Sequence, residues 1–147
     1  MELPLRIILR RPLPGVRFAL QRGKADSTGN AHLVAPTSES DDSIRFDFSV
    51  RVDLSNSKAP RFLGEFTQGP PSARFIYVNS GKRAGQADTR WDRRAKISLV
   101  EISPALVRDV AGDPGRILEI EMNATGSDGG PVCATVRMSS GWRLARK

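Results

Sequence analysis

The chain reads as an all-β domain, an antiparallel sandwich or barrel of about eight short strands with one short helix near residues 104–111. Three observations predict this. One eleven-residue run, Ile44–Leu54, alternates apolar and polar residues without a break. Several shorter runs repeat that period of two. Gly (13) and Pro (10) recur between them, as tight turns require.

The run IRFDFSVRVDL is the clearest element. Ile44, Phe46, Phe48, Val50, Val52 and Leu54 share one parity; Arg45, Asp47, Ser49, Arg51 and Asp53 share the other. Only a strand with one buried face explains a strict period of two. Burial of each such side chain is worth roughly 1.5–3 kcal/mol, so the register is strongly specified. Leu3, Leu5, Ile7 and Leu9 mark an earlier strand. Pro12, Pro14 and Gly15 make a turn before Val16, Phe18 and Leu20. Arg61–Phe66 is a further short strand, with Phe62 and Phe66 on one parity.

Arg74–Asn79 is apolar on both parities, with Phe75 and Tyr77 on one and Ile76 and Val78 on the other. That is the pattern of a central strand covered on both faces. A glycine-bracketed turn, NSGKRAGQ, is expected to follow it. Lys96–Ile102 and Arg116–Met122 are the next strands. In the second, Leu118, Ile120 and Met122 oppose Glu119 and Glu121, the pattern of a solvated strand face. Val132, Ala134, Val136 and Met138 alternate with Cys133, Thr135 and Arg137, and TGSDGGP reads as the hairpin loop before them. For the helix, Ser103 caps, Pro104 takes the first helical position, Leu106, Val107 and Val110 form a face, and Gly112 ends it. Polar stretches at 24–43 and 55–60 read as mobile loops.

At 147 residues and 16.1 kDa the chain suits one domain. Such a length buries roughly 68–70% of its unfolded surface, enough for a core without staples. Cys133 is the sole cysteine, so no intrachain disulfide can form and a cytoplasmic setting is expected. Arg6 interrupts the apolar N-terminus and Arg10–Arg11 close it, which does not match a signal peptide. No apolar run approaches the ~20 residues of a membrane span, so no membrane role is expected.

The net charge is +7 and the pI about 10.5. Basic residues gather at 2–24 (Arg6, Arg10, Arg11, Arg17, Arg22, Lys24) and at 82–96 (Lys82, Arg83, Arg90, Arg93, Arg94, Lys96). An excess of this kind either keeps a surface solvated or attracts phosphates and nucleic acid.

The catalytic inventory is thin. His32 is the only histidine and falls in a loop-like segment, so Ser-His-Asp and Cys-His arrangements would all depend on it. One His and one Cys cannot build an ordinary zinc site, and Asp41–Asp42 lack the spacing of a calcium loop. NSGKRAGQ lacks the nucleotide-loop pattern. No catalytic residue, metal or cofactor is assigned, and an enzyme is the least favoured class.

What remains is a candidate ligand site at Tyr77, Asn79, Lys82, Arg83, Gln86, Trp91, Arg93 and Arg94. Gly81 and Gly85 would let backbone N–H groups converge, arginines would pair with a carboxylate or phosphate, Asn79 and Gln86 would orient it, and Trp91 would stack. The expected partner is an anionic small molecule. The rival is a nucleic-acid or protein-interaction module using the basic surface. Nucleic acid is suggested because Arg74, Phe75, Tyr77, Arg90, Trp91 and Arg93 interleave aromatic and basic groups as single-strand binders do. The competing structural reading makes Trp91 a core anchor with a basic rim. Oligomeric state is not legible.

The stretches TQGPPSARFIYVNSGKRAGQADTRWDRRAKISL (Thr67–Leu99), GRILEIEMNATGSDGGPVCATV (Gly115–Val136) and GWR (Gly141–Arg143) are similar to a bacterial family, the domain of unknown function 5990. Leu13–Gly15 and Gln21–Gly23 extend the resemblance over most of the chain. It implies a small single-domain bacterial protein and carries no catalytic residues with it.

Overall fold

The computed structural model describes residues 1–22, 33–56, 60–63, 75–82, 93–127, 134–138 and 141–147. Its strands form two layers. The first strand, β1 (Glu2–Arg10), places Leu3, Leu5, Ile7 and Leu9 fully inside, as their shared parity requires. The chain then turns through Arg11–Gly15 and changes layer to β2 (Val16–Arg22). Gly15 sits at φ +79°, a conformation that penalises a side chain, so this corner demands glycine.

Two short strands, β3 (Leu33–Val34) and β4 (Ser38–Glu39), precede β5 (Ser43–Asp53). The stretch 33–43, expected as loop, thus contains two ladder segments. β3 pairs with β2, and β4 pairs with β5. β5 is the alternating run, and β6 (Arg61–Leu63) pairs with its far end. Next come β7 (Phe75–Lys82) and β8 (Arg93–Ser98). The expected strand 96–102 instead begins at Arg93 and yields at Leu99–Glu101 to a 3-10 turn. Helix α1 (Pro104–Ala111) follows, then β9 (Arg116–Ser127), β10 (Ala134–Met138) and β11 (Arg143–Arg146).

The larger sheet runs β10-β9-β1-β5-β4, with β11 on β9 and β6 on β5; the smaller runs β3-β2-β7-β8. These are the layers of a sandwich. All described pairings are antiparallel except one: β1 lies parallel to β9, with Leu5 opposite Leu118 and Arg10 opposite Asn123. One core cluster draws Leu5, Ile7, Phe46, Leu118 and Ile120 from the larger sheet and Phe18, Leu20, Ile76, Val78 and Ile97 from the smaller. β10 pairs antiparallel with β9. The expected hairpin loop Thr125–Pro131 is corrected at its start: Thr125–Ser127 extend β9, where Gly126 and Ser127 pair with β10, and residues 128–131 lie outside the described set. His32, Cys133 and the segment 57–59 of the second expected loop lie outside it too.

Helix α1 follows its sequence signals closely. Ser103 Oγ accepts from the Ala105 N–H at 3.2 Å, Pro104 opens the first turn, and the Gly112 N–H closes on the Arg108 carbonyl at 3.0 Å. Val107 and Val110 are buried and Leu106 packs on the core. Packing of that face stabilises a helix too short to persist alone. Among the described residues no helix is long and apolar enough to cross a membrane.

Removal of a core side chain should therefore cost far more than removal of the cap. Leu5→Ala is expected to lose about 2–5 kcal/mol and Ser103→Ala about 1 kcal/mol. Urea denaturation midpoints measure both; similar midpoints for the two variants would contradict this placement of the core.

Candidate functional site

β7 is the centre of the smaller sheet, bonded to β2 on one side and β8 on the other. Alternation sends Ile76 and Val78 into the core, each 1% exposed, and leaves Phe75, Tyr77 and Asn79 on the face turned away from it. Asn79 nonetheless has no solvent exposure, and Gln21 on β2 retains only 2%. The two amides meet diagonally across the strands, with Asn79 Nδ2 donating to Gln21 Oε1 at 3.1 Å. Among the described residues Asn79 Oδ1 has no hydrogen-bond partner.

Tyr77 stands opposite Gln21 on β2 and opposite Lys96 on β8. Lys96 places its Nζ 3.7 Å from the centre of the Phe75 ring. The outer face therefore brings together Tyr77 and Asn79, which the sequence nominated, with Gln21 and Lys96, which it did not. Gln21 had a signal. Arg17, Ala19 and Gln21 occupy the parity opposite Val16, Phe18 and Leu20, which sets Gln21 on the outer face.

The remaining candidates disperse. Arg94 stands opposite Asn79 and Arg93 opposite Ser80, so the two positions fall on opposite parities of β8. Lys82 ends β7 opposite Val16, on the parity of Val78 rather than Asn79. Arg83, Gln86 and Trp91 lie outside the described residues, as does Gly85. The expected turn at NSG is corrected: β7 continues through Ser80 and Gly81, which pair with Phe18 and Arg17, so Gly81 is a ladder residue. Ladder bonds on both flanks of a central strand outweigh the turn preference of Asn-Ser-Gly.

The outer face of the larger sheet carries a second constellation. Arg6 on β1 is 8% exposed and donates Nε to Asp47 at 2.9 Å and Nη1 to Glu119 at 3.2 Å. Asp47 also accepts from Arg45 at 2.6 Å, and Glu119 from Arg143 at 2.6 Å. Arg143 and Arg10 converge on Glu121 Oε1, at 2.8 and 2.9 Å. Glu119, expected on a solvated face, is instead 7% exposed and held by two guanidinium groups. Burial opposes ionisation of Asp47, but hydrogen bonds from Arg6 and Arg45 outweigh it and hold the carboxyl below its ordinary 3.8. The bond from Arg10 leads in holding Glu121 below its ordinary 4.5, with Arg143 adding to it against burial.

A depression of about 160 Å³ lies between the β1–β2 turn and the β4–β5 turn. Glu39 and Asp41 on its rim make it a poor receptor for an anion. No group of three His, Cys, Asp or Glu among the described residues is arranged to hold a metal ion.

Residues 3–145 match the model of a family described as a family of unknown function, DUF5990. The chain belongs to the DUF5990 family. No curated protein and no solved structure matches it. In this DUF5990 protein the arginine–carboxylate ladder is internally satisfied, whereas Asn79 Oδ1 has no partner among the described residues.

The ladder predicts an acid dependence of known sign. Carboxyls whose folded pKa is lowered contribute stability that is complete above their ordinary values of 3.8 and 4.5 and is lost as pH falls through the lowered ones. Arg6→Met should cost about 3 kcal/mol at neutral pH, because it leaves the buried Glu119 with Arg143 alone and Asp47 with Arg45 alone. It should also flatten the fall in stability below about pH 4. Urea unfolding between pH 2 and 7 tests both, and an unchanged pH profile in the variant would refute the assignment.

Proposed function

We propose that this protein is a non-enzymatic small-molecule-binding β domain of the bacterial cytoplasm, with its site on the outer face of the β3-β2-β7-β8 sheet around Asn79. One observation carries this reading: Asn79 Oδ1 is enclosed and has no donor among the described residues. A buried acceptor left unpaired costs about 1–3 kcal/mol, which an apolar residue at the same position would avoid. Such departures from local consistency concentrate where a ligand completes the bonding. The single histidine and single cysteine support the non-enzymatic part, and the lack of any cysteine pair supports the compartment.

Nucleic acid is the weaker alternative. Arg6, Arg10, Arg45 and Arg143 are already matched to Asp47, Glu119 and Glu121. The Phe75 ring, which a base would need for stacking, has Lys96 over it. A labelled single-stranded oligonucleotide should accordingly show no saturable binding even at low salt, where phosphate contacts are strongest.

A thermal-shift screen with small amides, hydroxy acids and phosphate esters tests the site. A ligand at 100 times its Kd contributes about 2.7 kcal/mol, worth roughly 5–10 °C for a domain of this size. At least one compound should raise the melting temperature of the native protein and not that of a Gln21→Met/Asn79→Leu double variant. That variant should itself melt at a temperature close to the native one, since both members of the amide pair are replaced by apolar groups of similar volume. Equal responses in the two proteins would place binding elsewhere.

A further inference from the structure

Granting that site, we infer that its ligand presents an N–H or O–H donor to Asn79 Oδ1, so that the recognised class is a neutral amide, imide or hydroxyl compound and not an acceptor-only anion. The orientation of the amide pair decides the class. Asn79 Nδ2 is committed to Gln21 Oε1 at 3.1 Å, which leaves the carbonyl end of Asn79 as the atom lacking a partner. A carboxylate or phosphate ester dianion has only acceptor oxygens. Brought to Asn79 Oδ1 it would set lone pair against lone pair and leave the buried oxygen unsatisfied.

One cation of this face is also engaged. Lys96 is drawn to the Phe75 ring, with Nζ at 3.7 Å, and stands opposite Tyr77 rather than Asn79. Tyr77 offers a hydroxyl that can both donate and accept, so a ligand with one donor and one carbonyl can be met from two adjacent positions on the same face of β7. The amide pair is enclosed as it stands: Asn79 is 0% and Gln21 2% exposed. Entry requires it to open, and the observed Kd is the intrinsic one divided by the fraction open. Small probes that need little opening are therefore the right ones.

The experiment is an NMR titration that follows the side-chain amide signals of Asn79 and Gln21 in ¹⁵N-labelled protein. Acetamide and N-methylacetamide carry an N–H; N,N-dimethylacetamide keeps the carbonyl and loses the donor; sodium acetate is an acceptor-only anion. Acetamide and N-methylacetamide should shift the Asn79 signals saturably, and at least ~10-fold more tightly than dimethylacetamide or acetate, the ratio expected for one buried hydrogen bond. The saturable shift of the Gln21 signals should vanish in Asn79→Leu. Equal or tighter binding of acetate or dimethylacetamide at these signals would overturn the donor requirement and leave the site standing. No saturable shift with any of the four would overturn the site itself.

Discussion

The position of β1 is the constraint on which the larger sheet depends. It is flanked by β5 on one side and β9 on the other, antiparallel to the first and parallel to the second. Its inward residues Leu3, Leu5, Ile7 and Leu9 are all fully buried, so a slip by one residue would exchange them for Pro4, Arg6, Ile8 and Arg10. Hydrophobic parity cannot forbid a slip by two, which keeps apolar residues inward. Arg6 can. Its guanidinium reaches Asp47 on β5 and Glu119 on β9 together, and a slip of β5 by two residues would set Arg45 or Ser49 opposite it in place of Asp47. A desolvated guanidinium that must keep this carboxylate therefore selects one β1–β5 register among those that parity allows.

With β1 fixed, the second layer follows. The Arg11–Gly15 turn takes the chain across to β2, and β2 pairs with β7 along seven residues from Val16 to Arg22. Phe18, Leu20, Ile76 and Val78 then close on Leu5, Phe46 and Ile120. Arg22 ties the layers at one end, donating Nη1 to the Ser49 carbonyl at 3.3 Å. The alternate positions of β2 and β7 are left on the far side of the smaller sheet. That is where Gln21, Tyr77 and Asn79 meet, as a consequence of the pleat and of how the core is closed.

Much of this was legible from residue pattern alone, and the exceptions have physical causes. The alternation of β5, the paired parities of β7 and the cap and stop of α1 are local, and each appears where the pattern puts it. The parallel β1–β9 pair is not local: Arg6 and Glu119 are 113 residues apart, and nothing in a run of alternating residues names its neighbour. The same distance hid the role of Glu119, since a glutamate on a polar parity reads as solvated until its partners are known. Asn79-Ser80-Gly81 carries turn chemistry, yet β2 and β8 flank it with ladder bonds and it stays extended. Of the proposed site, the sequence nominated Tyr77 and Asn79. Gln21 shows only its polar parity on β2, and no spacing along the chain joins it to Asn79.

The contrast between the two outer faces is what gives Asn79 its weight. On the larger sheet every carboxylate of the ladder is matched: Asp47 takes Arg6 on one oxygen and Arg45 on the other, and Glu119 takes Arg143 on one and Arg6 on the other. The same fold thus satisfies a demanding buried ion network, two oxygens at a time, from strands distant in sequence. A neutral amide oxygen is far easier to satisfy, and a threonine, serine or backbone donor nearby would suffice. Asn79 lies at the centre of a four-stranded sheet, fully enclosed, and its Oδ1 has no such donor among the described residues. A partly bonded polar pair is less favourable than an apolar one in the same place, so polarity here does not serve the stability of the sheet. The proposed site accounts for it by an occupant that brings the missing donor, and ladder pairing on both sides of β7 fixes the strand that carries this oxygen.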